Sequence, residues 1–339
     1  NTAGDVTLLG ANTITNLGAF TSTGTGGFSL SDLGGLTVTG DVSNNFGAVS
    51  IVTTVSPLTI SANITATGQS LTLTGVGINQ TTGTILAAGL TVNAGAGAID
   101  LSQTSNDFTG SVSLNNSGPN NVAITDANAI NFGTSVLGIG SLTVNAVGIT
   151  QSGAITITGT SSFNAGTGVI TLTQSNDFTG SVTLNSTGAT VAITDTNAID
   201  FGASTLGSGT FTVNAVGITQ TGGAITQSNG AGAVTFNAGN GVITLINPSN
   251  NFTGAVSLNN SGANNVAIVD SNDITIDVTN LGSGAFAVTG TNINLNNNVT
   301  TTNNSQTFTG NVVVNASNNG SPLVLSSGFG GILIRVAMF

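Results

Sequence analysis

The sequence predicts an all-β fold, a parallel and right-handed β-helix solenoid. Three observations support this prediction. A short motif recurs along the chain, apolar residues alternate with polar ones, and residue types that favour exposed helices are almost absent. Internal repetition at a fixed period is the signature of a repeat architecture, in which each unit packs on its neighbours.

The recurring motif is SNDFTGSV at 105–112 and 175–182, and SNNFTGAV at 249–256. Fainter versions are SNNFGAV at 43–49 and QTFTGNV at 306–312. The three full copies are followed by similar segments: VAITDANAINFG at 122–133, VAITDTNAIDFG at 191–202 and VAIVDSNDITID at 266–277. A unit that is copied along the chain also gives a repeating surface, whereas an enzyme needs one site that differs from the rest of the surface.

The composition excludes several fold classes. The 339 residues include 49 Gly and 15 Phe but no Cys, His, Trp or Tyr. All 12 acidic residues are Asp, and Arg335 is the only basic residue. A chain without Glu or Lys has little material for the solvated face of a helix. With 39% hydrophobic residues and a mean hydropathy of +0.37, the chain is too apolar for disorder.

The apolar residues alternate along short segments. Pairs such as Val112 with Leu114 and Leu142 with Val144 place two apolar side chains on one face of a strand. Turn residues such as NNSGPNN at 115–121 bound these segments. No segment approaches 18 consecutive apolar residues, so we expect no membrane-spanning helix.

The spacing of large apolar residues predicts the length of a coil. Steps of about 23 residues, close to those of known β-solenoids, divide each super-repeat of ~70 residues into three coils. The chain then holds on the order of 14 coils, a rod of roughly 70 Å at the strand spacing of ~4.8 Å. The predicted core column has one member per coil: Phe108, Phe132, Ile155, Phe178, Phe201, Ile225, Phe252, Ile276 and Phe308.

We expect a single β-solenoid over residues 1–339. Its predicted parts are divergent N-terminal coils at 1–45, super-repeats at 46–107, 108–177, 178–251 and 252–307, and a divergent C-terminal coil with a terminal strand at 308–339. Tandem small β-sandwich domains of ~70 residues are the main alternative. A solenoid is favoured because a duplicated sequence cannot specify a different partner for each strand of a sandwich.

Three segments carry a resemblance to a known class of proteins. GSLTVNAVGITQSGAITI at 140–157, GLTVNAGAGAIDL at 89–101 and VTFNAGNGVITL at 234–245 resemble the repeat regions of large secreted bacterial β-strand-repeat proteins of the filamentous-haemagglutinin and adhesin-passenger type. The resemblance covers about residues 36–325. It implies a secreted right-handed β-helix used for adhesion or as a stalk. The NPNG and NPL motifs of the associated secretion domain are absent from this chain.

The chain offers little for catalysis. Asp carboxylates are the only conventional acid–base groups, and the candidates for a paired-carboxylate hydrolase are Asp107, Asp126, Asp195 and Asp200. Asp195 and Asp200 have opposite parity along one segment, which places them on opposite faces of a strand. These Asp residues are better explained as turn caps. We therefore predict that the protein is not an enzyme and has no cofactor, catalytic or metal site.

The predicted function is that of a structural subunit of an extracellular or cell-surface fibre. β-Helical rods are expected to join copies of the chain head to tail by strand pairing between terminal coils. The apolar segment GGILIRVAMF at 330–339 supplies the predicted subunit junction, which comprises Ile332, Leu333, Ile334, Val336 and Phe339, with residues 1–18 on the other side. The alternative is a monomeric adhesin shaft whose loops bind host or neighbour-cell surfaces or glycans.

Nucleic acid is not an expected partner. A net charge of −11 with a single Arg repels the phosphate backbone. The same shortage of basic residues leaves trypsin-like proteases almost no cleavage site, which suits an exposed, secreted fibre.

Overall fold

The computed structural model describes residues 4–315 and 323–335, which form strands and turns and no helix. The chain divides into two compact units, Asn1–Gly168 and Val169–Phe339. Each unit is a stack of coils built from short parallel strands. The two units together contain about 15 turns with a repeat of ~21 residues.

Strands β1–β21 lie in the first unit. Their bounds are β1 Val6–Asn12, β2 Asn16–Leu17, β3 Phe20–Ser22, β4 Phe28–Asp32, β5 Leu36–Val38, β6 Val42–Asn44, β7 Val49–Thr53, β8 Leu58–Ile60, β9 Ile64–Thr74, β10 Ile78–Gln80, β11 Ile85–Asn93, β12 Ile99–Leu101, β13 Asp107–Phe108, β14 Ser111–Asn116, β15 Val122–Thr125, β16 Ile130–Phe132, β17 Ser135–Leu137, β18 Leu142–Asn145, β19 Ile149–Gln151, β20 Ile155–Ile157 and β21 Ser161–Asn164.

Strands β22–β39 lie in the second unit. Their bounds are β22 Ile170–Phe178, β23 Val182–Ser186, β24 Val191–Asp195, β25 Ile199–Asp200, β26 Ser204–Leu206, β27 Phe211–Asn214, β28 Ile218–Thr219, β29 Ile225–Gln227, β30 Val234–Asn237, β31 Ile243–Leu245, β32 Val256–Asn260, β33 Val266–Val269, β34 Ile274–Leu281, β35 Phe286–Leu295, β36 Val299–Thr300, β37 Gln306–Val314, β38 Leu325–Ser326 and β39 Ile332–Arg335.

The strands of successive coils pair in parallel and in register. In the first unit Leu36 pairs with Leu58, which pairs in turn with Ile78, and Ile78 pairs with Ile99. The prediction of a parallel β-solenoid is confirmed. The coil is shorter than predicted, because the structure repeats after ~21 residues rather than about 23. The predicted boundaries of the super-repeats remain a prediction.

Alternation of side chains fills the interior of each unit. In β4, β7 and β23 buried residues alternate with half-buried ones. The first two buried positions of each strand are apolar, and the last is a polar residue: Asp32, Thr53 or Ser186. Removing apolar side chains from water is the main source of stability, at roughly 25 cal/mol per Å² of buried area. Strands that pack on near-copies of themselves can bury the same residue types repeatedly.

Glycine occupies a corner where stacked coils come close together. A Cβ at Gly110, in the FTG part of the motif, would lie 1.8 Å from the carbonyl oxygen of Ala88 in the preceding coil. Gly254 occupies the same place in the third copy, 1.9 Å from the carbonyl oxygen of Gly232. Both distances are too short for any side chain, so the close approach of the backbone explains why this residue recurs.

All nine residues of the predicted core column are buried. Their register differs from the one or two columns that the sequence predicted. Phe132 pairs with Val112 in the preceding coil and with Gln151 in the next, whereas Ile155 pairs with Ser135. A step of about 23 residues exceeds the coil, so each successive member lies further along the coil than the last.

The super-repeat does not contain a whole number of coils. In the second unit VITL occurs at 169–172 and again at 242–245. Ile170 stacks with Val191, Phe211 and Val234. Its copy, Ile243, stacks instead with Ile218, Val266 and Phe286.

Each coil has three sides, each made of a strand and a turn; β5, β6 and β7, for example, complete one coil before β8 stacks on β5. A super-repeat of about 70 residues therefore contains about three and one-third coils of ~21 residues, or ten strand-and-turn segments. Each copy is therefore moved by one side of the coil relative to the copy before it. The same sequence can form any of the three sides, because each side consists of a strand with alternating apolar residues followed by a turn.

Four phenylalanine rings run through the core of the second unit. The ring centroids of Phe201 and Phe211 are 5.8 Å apart, those of Phe211 and Phe236 are 5.6 Å apart, and those of Phe236 and Phe252 are 5.9 Å apart. All three contacts are edge-to-face, the favourable geometry for aromatic pairs. The middle contact, between Phe211 and Phe236, joins the paired strands β27 and β30 of successive coils.

The substitution Phe236→Ala tests this packing. Phe236 is fully buried and contacts two other rings, so its truncation should destabilise the second unit by about 3–5 kcal/mol through loss of contacts and formation of a cavity. The matched control is Phe329→Ala, since Phe329 is 97% exposed and its truncation should change little.

Hydrogen exchange measures where the loss occurs. In a repeat array, stability is a sum over neighbouring coils, so exchange should accelerate mainly in the coils next to Phe236. Uniform acceleration along the whole chain would contradict the solenoid packing.

Candidate functional site

The recurring motif places a buried asparagine between two coils. Asn106 and Gln80 exchange two side-chain hydrogen bonds, each of 2.8 Å, and Asn106 also donates to the carbonyl oxygen of Leu101 at 3.1 Å. Asn250 forms the same reciprocal pair with Gln220, at 2.7 and 2.9 Å. Because both amides of each pair are satisfied, a polar group can be buried here without the usual penalty.

An aspartate of the following coil holds the backbone of the motif. One carboxylate oxygen of Asp126 accepts a hydrogen bond from the Phe108 amide at 3.1 Å, and the other accepts one from the Asn128 amide at 2.8 Å. Asp195 and Asp270 repeat this arrangement on the amides of Phe178 and Phe252, at 2.9 and 2.6 Å. Each carboxylate thus connects two coils and closes its own turn.

Of the four Asp residues that were candidates for a paired-carboxylate site, the structure brings Asp107 and Asp126 close enough to interact electrostatically. Asp126 and Asp195 are buried, and their oxygens accept backbone hydrogen bonds. Asp200 accepts hydrogen bonds from the hydroxyls of Thr219 and Thr221, at 2.9 and 2.5 Å. The electrostatic neighbour of Asp126 is Asp107, and that of Asp195 is Asp177. These contacts support the interpretation of the aspartates as structural caps.

Burial raises the pKa of the Asp195 carboxyl above its ordinary value of 3.8, and the nearby Asp177 carboxylate raises it further. Hydrogen bonds from the amides of Asn197 and Phe178 act in the opposite direction. Burial likewise raises the pKa of Asp126 and of Asp270. A raised pKa means that the folded protein binds the proton more tightly than the unfolded chain does.

These shifts predict a fold that is stabilised by acid. The stabilisation is fully present below the unfolded value of 3.8 and is lost as the pH rises through the raised pKa of the folded state. Denaturant midpoints should therefore increase as the pH falls from neutral towards 3.8. In Asp195→Asn this increase should be smaller, because one of the three titrating groups is gone.

The matched control for that measurement is Asp41→Asn, which removes the same charge at an exposed position. General relief of repulsion within a chain of net charge −11 should affect both variants alike. If the wild-type protein and Asp195→Asn show the same change in midpoint with pH, the burial of these carboxylates has no influence on stability.

A cleft of about 590 Å³ lies on the surface of the second unit. One wall is a ladder of stacked asparagine side chains. The amide of Asn259 donates to the oxygen of Asn237 at 2.7 Å, and the amide of Asn280 donates to the oxygen of Asn259 at 2.9 Å. Gly239, Ser261 and Leu281 complete the central part of the cleft, and none of its lining residues is charged.

A smaller cleft of about 210 Å³ is lined by the corresponding residues of the first unit. The segment SLNNSG occurs at 113–118 and again at 257–262, so the two clefts are copies. Asn115 donates to Asn93 at 3.0 Å in the first cleft, as Asn259 does to Asn237 in the second. The amide of Ser117 donates to the carbonyl of Gly95 at 2.7 Å, which matches the bond from Ser261 to Gly239.

The sequence prediction missed the buried asparagines and both clefts. The sequence feature that could have indicated the buried Asn106 and Asn250 is the Asn shared by SNDF and SNNF. These segments resemble ordinary surface turns, so burial of this Asn was not predicted. The signal for the clefts was the recurrence of Asn in VNAG, FNAG and SLNNSG. Their side chains meet only when coils about 21 residues apart are stacked.

Two negative observations apply to the described ranges, 4–315 and 323–335. Within them, no group of three or more acidic or other metal-ligating side chains is placed to hold a metal ion. No helix within the same ranges is long and apolar enough to cross a membrane.

The fold and the stacked polar contacts define a β-solenoid repeat protein. The chain belongs to the DUF5649 family, described as repeats of unknown function, whose model matches residues 47–115, 119–185 and 188–259. These matches cover more than half of the chain, and each has about the length of one super-repeat. No curated protein and no solved structure matches the chain.

Proposed function

We propose that the protein is a structural subunit of an extracellular or cell-surface fibre, in which copies join end to end by pairing of edge strands. The observation that carries this proposal is an apolar edge strand, β39, with exposed side chains. Ile332, Leu333 and Ile334 are all at least 42% exposed. Val336 and Phe339, also predicted for the junction, lie outside the described residues.

One edge of β39 is paired and the other is open. β39 pairs in parallel with β37, and the Gln306 amide donates to the carbonyl oxygen of Gly331 at 2.9 Å. Backbone groups alternate between the two edges of a strand, so those of Ile332 and Ile334 point away from β37. Among residues 4–315 and 323–335, no other strand pairs with this edge.

A second apolar edge strand lies in the first unit. β1 pairs in parallel with β4, and its side chains Leu8 and Leu9 are exposed. Natural sheets commonly protect an open edge with lysine or proline, and neither β1 nor β39 contains either residue. Adding β1 of one copy to β39 of another would continue the parallel hydrogen-bond ladder between molecules.

The repeated surface also supports a structural role. Few charged side chains are present to oppose association, and the single Arg lies on β39 itself. His, Cys, Tyr, Glu and Lys are absent, so the chain offers few acid–base groups other than Asp. The proposal includes an extracellular location, the absence of enzymatic activity and a relationship to adhesin-type repeat proteins.

The substitution Ile334→Lys tests the proposed junction. Ile334 pairs with the buried Phe308 and so lies on the core face of β39, whereas Arg335 lies on the opposite face. A lysine at position 334 should prevent addition of a strand and abolish fibres, because the added strand would bury its charge in the core. The matched control is Val278→Lys, which places the same charge on a side chain that is 45% exposed on β34, a strand already paired with β32 and β35. Electron microscopy of the purified wild-type chain and both variants measures the result.

The expected outcome is fibres from the wild-type chain and from Val278→Lys, and none from Ile334→Lys. A wild-type chain that remains monomeric at high concentration would contradict the fibre proposal. So would fibres that form equally well with Ile334→Lys.

A second candidate function is an adhesin shaft that binds cell surfaces or glycans while remaining monomeric. The specific observation in its favour is the uncharged cleft, present in both units. The loops at 115–121 and 228–234 are the other candidate contacts. The same microscopy separates the two functions, since only the fibre requires contacts between copies.

A further inference from the structure

The larger cleft is a groove that runs along the stacking direction of the coils. Asn237 pairs in register with Asn259, and Asn259 pairs with Asn280 in the next coil. Thr300, one coil further on, lines the same groove. Equivalent side chains therefore recur along the groove at the spacing of paired strands, ~4.8 Å.

The ladder leaves hydrogen-bonding capacity facing the groove. An asparagine amide has two N–H donors and two lone pairs on its oxygen. Asn259 uses one donor on Asn237 and one lone pair for Asn280, so one donor and one lone pair remain. Asn237 likewise donates to Asn214 at 2.7 Å and accepts from Asn259. Each coil thus offers a donor beside an acceptor, a pattern that matches the hydroxyl groups of a sugar.

The remaining surface of the groove suits an uncharged ligand. No Asp or Arg lines it, and a chain of net charge −11 disfavours polyanions. Leu281 supplies an apolar contact for the face of a sugar ring. A volume of about 590 Å³ lies within the range of ligand-binding clefts, ~300–1,000 Å³.

We propose that this groove binds a neutral, extended β-1,4-linked glycan chain that lies along the stack, with one sugar residue per coil. An extended β-1,4-linked chain advances by roughly one strand spacing per sugar, so each coil meets one sugar. Successive sugars are turned over, so the same hydroxyl groups face the amide ladder at every second coil. An α-1,4-linked chain coils, so its hydroxyl groups do not keep the register of the amide ladder. The proposal gives a ligand class to the adhesin function and does not depend on fibre formation.

The smaller groove in the first unit is a second copy of this site. Ser117 and Val136 there occupy the places of Ser261 and Asn280. Because Val136 replaces one amide of the ladder, this copy offers fewer hydrogen bonds and binds the same glycan more weakly.

Calorimetric titration of the purified whole chain with cellohexaose and chitohexaose tests the proposal, with maltohexaose as the α-linked control. Binding of at least one β-1,4-linked hexasaccharide and no binding of maltohexaose is the expected result. The substitution Ser261→Tyr fills the groove from an exposed position and should raise Kd roughly tenfold or more. Ser249→Tyr introduces the same side chain at an exposed position outside the groove and should leave Kd unchanged.

Thr300→Tyr, at the far end of the groove, serves as a second blocking variant if Ser261→Tyr fails to fold by circular dichroism. Three results would overturn the proposal: no binding of either β-1,4-linked hexasaccharide, equal binding of maltohexaose, or unchanged affinity in a folded blocking variant. Imaging the same variants separates this proposal from the fibre, because Ser261→Tyr should still form fibres and Ile334→Lys should still bind the glycan.

Discussion

The main-chain hydrogen bonds between successive coils are the constraint on which the rest of the structure depends. Parallel pairing in register requires each coil to reproduce the path of the coil before it. The corner glycines follow from this requirement, since Gly110 and Gly254 allow the backbones to come close. The buried carboxylates follow as well, because Asp126 and Asp195 accept amide hydrogen bonds that the corners leave unpaired.

The relation between the repeat of the sequence and the repeat of the structure determines how the surface is organised. A super-repeat of about 70 residues is not a whole number of ~21-residue coils, so each copy is displaced by one side. In the second unit, Ile170 and its copy Ile243 consequently belong to different stacks. A feature copied with the super-repeat, such as the asparagine ladder, therefore changes side with each copy. Duplication distributes contacts around the coil instead of building one face.

The sequence was sufficient to predict the parallel β-solenoid and the interior position of Phe108, Phe178 and Phe252. Alternation and self-similarity depend on neighbouring residues, which a sequence shows directly. The coil length was overestimated because the spacing of phenylalanines measures the duplicated unit rather than the coil. Three coils of about 23 residues and three and one-third coils of ~21 residues give the same super-repeat.

The polar sites were harder to predict for a different reason. Asn106 in SNDF looks like a turn residue, yet its partner Gln80 lies in the preceding coil. The groove requires Asn237, Asn259 and Asn280 to stack, which depends on the register of three coils. Phe46 departs from the pattern of the full copies, since SNNFGAV resembles the motif but this phenylalanine is exposed. In that coil Asn44 is buried, as Asn106 is in the first full copy of the motif.

Disulfide cross-linking tests the register of the coils most directly, because the chain contains no cysteine of its own. Ala192 on β24 pairs with Thr212 on β27, and both side chains are partly exposed. Cα atoms of paired strands lie at about the separation that a disulfide spans, roughly 4.4–6.8 Å. The double variant Ala192→Cys with Thr212→Cys should form an intramolecular disulfide on mild oxidation, seen as a mobility shift on a non-reducing gel. A pair that stays reduced in the folded protein would contradict the stacked-coil structure.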